Sequence, residues 1–257
     1  MIRIENISKR FKKLQVLDRI TALLTEGQVI SLIGPNGSGK TTLIKCILGM
    51  VKADTGTIHV KDKQIDGDHS YRRNIGYMPQ ISRYPDNMKV GQLFAMMKDI
   101  RKMPEKEYDT DLLVKFNLVS IFDKPLRTLS GGTRQKVSAA LAFYFNPQIL
   151  ILDEPTAGLD PLSSEMLKEK ILQEKRKNKL ILITSHILSD LDELTTHVMY
   201  LQEGKMIFLK DIKSLKEETR EDKLGKAIAK LMYQEKKEAL WIDEVLSVKI
   251  EDQPHNE

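Results

Sequence analysis

The 257-residue chain is 41% hydrophobic and 30% charged, which excludes a disordered or fibrous protein and suits one sizeable core with an embedded or appended subdomain. Its 41 Lys and Arg residues are interleaved with 36 Asp and Glu, so the formal charge of +5 marks no basic block and no nucleic-acid partner is expected. The single cysteine, Cys46, excludes an intramolecular disulfide and reads as a small buried hydrophobe, and with no apolar run able to span a bilayer or act as a signal peptide a cytoplasmic location is expected.

Ile2 and Ile4 alternate with polar residues as in a strand, and Val29 to Ile33 is a short apolar run ending in Gly34 and Pro35, a buried strand entering a loop. From Thr41, the residues Leu43, Ile44, Ile47 and Leu48 recur at helical spacing and Gly49 closes the helix. A strand follows near Thr57 to Val60. Between about Pro85 and Pro125, Leu93, Met96, Met97 and Ile100 fit one helix face and Leu112, Leu113, Phe116 and Leu118 another, which predicts an inserted helical subdomain at about 83–127. The methionines around it, Met78, Met88, Met96, Met97 and Met103, suit core filling or an adaptable partner surface better than a soft-metal site.

Leu129 to Gly132 then opens a helix, followed by a buried strand at Ile149 to Leu152, a helix near Leu162 to Lys175 and a strand at Leu180 to Thr184. Such alternation predicts an α/β fold with a mainly parallel sheet. Beyond Gly204 the chain is rich in Lys and Glu, with a helix from about Leu224 to Gln234 and an acidic tail over 231–257.

Gly34-Pro35-Asn36-Gly37-Ser38-Gly39-Lys40-Thr41, followed by Thr42, has the P-loop pattern in its required setting, after a strand and before a helix. Its glycines let consecutive N–H groups converge on phosphate oxygens at a helix N-terminus, where aligned peptide dipoles favour negative charge. Lys40 should reach the β- and γ-phosphates, and the Thr41 hydroxyl should ligate Mg²⁺. At the end of the strand Ile149 to Leu152 stand two adjacent carboxylates: Asp153 for the Mg²⁺ site and Glu154 to polarise the attacking water.

A P-loop and an acidic strand end are shared by kinases, GTPases and helicases. Leu129-Ser130-Gly131-Gly132-Thr133-Arg134-Gln135 narrows the class, because it resembles the LSGGQ signature of ABC ATPases, with Thr133 at a variable position. The resemblance covers about residues 1–230 and implies a RecA-like P-loop core of ABC type with an antiparallel β part, an inserted helical subdomain and a short C-terminal helix. It also implies ATP and Mg²⁺ as ligands and a head-to-tail dimer, a homodimer or a pair with another ABC ATPase, in which Ser130, Gly131 and Gly132 serve the partner's nucleotide.

Four further positions match the family's order. Gln80, in Tyr77-Met78-Pro79-Gln80, corresponds to the glutamine that contacts Mg²⁺ or the attacking water. Gly158-Leu159-Asp160 corresponds to the D-loop that crosses to the other subunit, His186 to the switch histidine on the γ-phosphate, and Phe11 to the adenine-stacking aromatic. In the transporter branch the resemblance implies separate integral membrane permease subunits and a place on the inner face of the cell membrane. The stretches from Tyr77 to Pro85 and from Leu129 to Phe145 are similar to ATPases serving nitrous oxide reductase maturation. The alternative is an ABC ATPase without a permease, acting in DNA repair, on the ribosome or in regulation.

Overall fold

The computed structural model describes residues 1–185 and 192–233. Its first sheet is antiparallel, with order β2-β1-β4-β5, built from β1 (Ile2–Phe11), β2 (Leu14–Leu24), β4 (Thr55–Val60) and β5 (Lys63–Gln64). Ile2, Ile4 and Ile7 of β1 are all buried although the last breaks the two-residue period. A register shift between Ile4 and Ile7, where Asn6 takes a φ of 51°, turns Ile7 back to the core as a bulge does.

The second sheet has order β10-β9-β3-β8-β7-β6: β3 (Val29–Ile33), β6 (Ile75–Met78), β7 (Ile149–Asp153), β8 (Leu180–Thr184), β9 (His197–Gln202) and β10 (Lys205–Asp211). The strands from β9 through β6 pair in parallel. Every residue of β3, β7 and β8 is buried, which is why these strands read as unbroken apolar runs rather than as alternation. Because the strands are parallel, the C-terminal ends of β3, β6, β7 and β8 emerge on one side, where an α/β sheet carries its ligands.

Helices among the described residues include α1 (Lys40–Ile47), α2 (Val90–Arg101), α3 (Asp111–Lys115), α4 (Gly131–Tyr144), α5 (Pro161–Arg176) and α6 (Ile212–Thr219). The inserted segment holds α2, α3 and three short 3₁₀ turns. In α2 the buried residues are Val90, Leu93 and Phe94, whereas Met96 and Ile100 are exposed, so the inward face is rotated from the expected Leu93-Met96-Met97-Ile100 stripe. Phe94 sets that face: its ring packs on Phe122 at 5.8 Å and on Tyr144 of α4 at 5.2 Å.

Buried charges join the insertion to α5. Lys170 Nζ donates to Asp109 at 2.6 Å and lies 3.2 Å from Glu174, which also pairs with Lys177 at 2.8 Å and with Lys179.

The chain divides into two compact units, Met1–Leu209 and Lys210–Glu257. In the second, Asp211 caps α6 by accepting from the Ser214 N–H at 2.9 Å, and residues 224–233 form a further helix. Lys230 of that helix donates to the Thr219 carbonyl at 2.7 Å. Of the expected acidic tail, residues 234–257 lie outside the described residues. No described helix is long and apolar enough to cross a membrane.

Candidate active site

The loop Gly34–Gly39 joins β3 to α1. Gly39 ends it with a φ of 102°, and a Cβ there would stand 2.6 Å from the Val16 carbonyl oxygen and 2.8 Å from Leu17 Cδ2. Neither the backbone angle nor the space admits another residue. Lys40 Nζ lies over the loop, donating to the Gly34 carbonyl at 2.7 Å and the Pro35 carbonyl at 3.0 Å. Burial lowers the Lys40 pKa from its ordinary value, while Glu154 and Asp153 oppose that shift. The Ser38 hydroxyl is buried with no hydrogen-bond partner among the described residues, a donor turned into the loop.

Asn36, Gly37, Ser38, Gly39, Lys40, Thr41 and Thr42 line a cleft of about 210 Å³ together with Gln80, Asp153 and Glu154. Asn36 and Glu154, 118 positions apart, thus meet, because β3, β6 and β7 deliver their C-terminal ends to one place. Val16 completes the wall from β2, which no motif announces. Gly34 and Pro35 serve the same cleft through the carbonyls that hold Lys40.

At the end of β7, Asp153 is 5% exposed, and Thr184 at the end of the neighbouring β8 donates its hydroxyl to Asp153 Oδ1 at 2.5 Å. Burial raises the Asp153 pKa; the Thr184 hydrogen bond opposes this, Glu154 adds to it, and Lys40 opposes it. Glu154 has a φ of 50°, a left-handed conformation that a non-glycine residue holds only when its surroundings impose it. Thr184 imposes it from one side, since the Glu154 N–H donates to the Thr184 carbonyl at 3.1 Å and approaches its hydroxyl at 3.0 Å.

The other sequence-predicted residues that the structure describes lie elsewhere. Ser130 caps α4, its hydroxyl accepting from the Thr133 N–H at 3.2 Å, and Gly131 and Gly132 follow it on a larger groove of about 850 Å³ that runs from Gln80 to Asp86 and on to Gly158. Asp160 does not line the P-loop cleft: Oδ1 accepts from the Ser163 N–H at 2.9 Å as the N-cap of α5, and Oδ2 pairs with Lys136 of α4 at 2.8 Å. Phe11 is 47% exposed at the end of β1, with the Lys9 ammonium over its ring at 5.5 Å, and it is not among the residues lining the cleft. His186 lies outside the described residues.

Comparison with known proteins gives a consistent result. The family model described as ABC transporter matches residues 17–157. The lantibiotic transport ATP-binding protein SrtF of Streptococcus pyogenes is 33% identical over 213 residues, 82% of this chain and 91% of its own length. The uncharacterized ABC transporter ATP-binding protein YhaQ of Bacillus subtilis is 32% identical over 84% of this chain and 73% of its own. A solved ATP-binding subunit of an ABC transporter superposes with a TM-score of 0.84 at 27% identity, over 90% of this chain and 99% of that one.

Proposed function

This chain belongs to the ABC transporter family of ATP-binding subunits and is an ATPase, and from that premise we propose that it is the motor of a membrane transporter whose permease is a separate polypeptide. Two copies, or this chain and a paired ABC ATPase, close head to tail around ATP. The observation that carries the reading is the separation of the two anion-binding elements within one chain. The P-loop, Asp153 and Glu154 share one cleft, while Gly131 and Gly132, after the Ser130 cap of α4, line a second groove that meets the first only at Gln80. A two-fold head-to-tail pair lets each element complete the other's site.

In this reading the loop N–H groups and Lys40 hold the β- and γ-phosphates, the Thr41 hydroxyl adds a hard oxygen, and Phe11 stacks on the adenine. Thr41, Asp153 and the Gln80 amide oxygen are the oxygen donors that Mg²⁺ takes, and all three line the cleft beside Lys40, so they would hold that ion. Bound there, Mg²⁺ supplies charge neutralisation of the phosphate oxygens. Glu154 orients the attacking water and draws on its proton, with Gln80 and His186 at the γ-phosphate side. The D-loop at Gly158 to Asp160 faces the second subunit. The groove around Gln80 to Met103, on the inserted helical segment, receives the permease, which places the chain on the inner face of the cell membrane.

Cargo and direction belong to the permease. The test is a cross-linkable thiol at Ile81→Cys, a position 68% exposed on that groove, with Cys46 buried and its thiol pushed up to about 11. Capture of an integral membrane protein is the expected result. Capture of DNA or ribosomal components in its place would support the reading without a permease.

A further inference from the structure

Asp160 and Lys136 form a bridge that the ATPase reading does not use. Asp160 stands six positions after Glu154 and starts α5; Lys136 stands six positions after Ser130, on the second turn of α4. Both carboxylate oxygens of Asp160 are engaged inside this chain: Oδ1 with the Ser163 N–H at 2.9 Å, Oδ2 with the Ser163 hydroxyl at 2.8 Å and with Lys136 Nζ at 2.8 Å. These bonds, that of Lys136 first, hold the Asp160 carboxyl well below the usual carboxylate range. Beside the pair, a Cβ at Gly132 would stand 2.8 Å from the Gly158 carbonyl oxygen, so the two loops already touch at their backbones.

The five residues between Glu154 and Asp160 have little freedom. Ala157 N–H donates to the Glu154 carbonyl at 3.1 Å and Leu159 N–H to the Thr156 carbonyl at 3.2 Å, which makes two successive turns. Glu154 is held in its left-handed conformation by Thr184 on the sheet side, and it opens the pair of turns that ends at Asp160 on the helix side. We propose that Lys136 is a positioning residue for ATP hydrolysis, which fixes Asp160 against the start of α4 and thereby sets the carboxylate of Glu154. The inference rests on the assignment of Glu154 to the hydrolytic step.

Turnover and ATP affinity of the full chain should be compared across wild type, Lys136→Met, Lys136→Gln and Lys136→Arg, with the melting temperature of each. The expected result is a fall in kcat of about tenfold or more in Met and Gln, a KM for ATP within about threefold of wild type, and recovery of most of the rate in Arg. In a Glu154→Gln background, Lys136→Met should leave ATP-driven dimerisation intact; loss of the dimer there would place the action of Lys136 at the subunit interface and overturn the proposal. The proposal is overturned if Met and Gln keep the wild-type kcat, if Arg fails as they do, or if kcat falls only in step with the melting temperature. A wild-type chain without ATPase activity would instead refute the underlying assignment.

Discussion

The hydroxyl of Thr184 lies between two adjacent carboxylates' residues, donating to Asp153 Oδ1 at 2.5 Å while the Glu154 N–H approaches it at 3.0 Å. One side chain at the end of β8 thus orients the acidic end of β7. Thr184→Val keeps the shape and removes the hydroxyl. A hydrogen bond to a charged group contributes about 1.5–3 kcal/mol, so kcat/KM for ATP should fall by roughly 10- to 100-fold. Thr184→Ser should retain most of it, and steady-state kinetics of the two variants would check this.

Gly39→Ala places a methyl 2.6 Å from the Val16 carbonyl oxygen at a φ of 102°, so the loop must shift to accept it. The shift moves the N–H groups that face the phosphates and also the first turn of α1, which begins at Lys40. Nucleotide affinity should drop by at least about tenfold, one such misplaced charge-assisted contact being sufficient. Titration with a fluorescent ATP analogue would measure it.

The sequence makes this site legible where one continuous segment carries both chemistry and context: strand, glycine loop and helix around Lys40, and an apolar strand ending in Asp153 and Glu154. It does not reveal the residues that hold those groups. Thr184 and Val16 enter through strand neighbours, and the Lys136 partner of Asp160 is 24 positions away in sequence, so no local pattern encodes either. Asp160 stands in the N-cap pattern Asp160-Pro161-Leu162-Ser163, which accounts for its bonds to Ser163, while its bond to Lys136 has no local signal. The α2 face was misjudged because the methionines count as apolar at helical spacing, while the stacking of Phe94 on Phe122 and Tyr144 decides which side turns inward.

The buried charges around Glu174 give a pH signature. Burial alone would raise the Glu174 pKa, but hydrogen bonds from Lys177 and Lys179 win and bring it from 4.5 down to about 2. A depressed carboxylate contributes stability above its unfolded value, and that contribution is lost as pH falls from about 4.5 towards 2. Glu174→Gln should therefore flatten the stability profile in that window. At neutral pH it should destabilise the fold by about 3–5 kcal/mol, because Lys170 and Lys179 stay buried with one carboxylate fewer. Urea unfolding at several pH values measures both.

The most direct test of the composite, Glu154-driven site is Glu154→Gln, which keeps the side chain's shape and removes its basicity. Loss of a general base lowers the rate by ~10² to 10⁴, while Lys40, Thr41 and Asp153 remain to hold the nucleotide. With hydrolysis slowed, ATP bound across two chains shifts the population to the closed pair. Size-exclusion chromatography with ATP and Mg²⁺ should then show a nucleotide-dependent dimer in the variant and little in wild type, alongside the lost turnover. A variant that stays monomeric at saturating ATP and hydrolyses it at the wild-type rate would contradict the account.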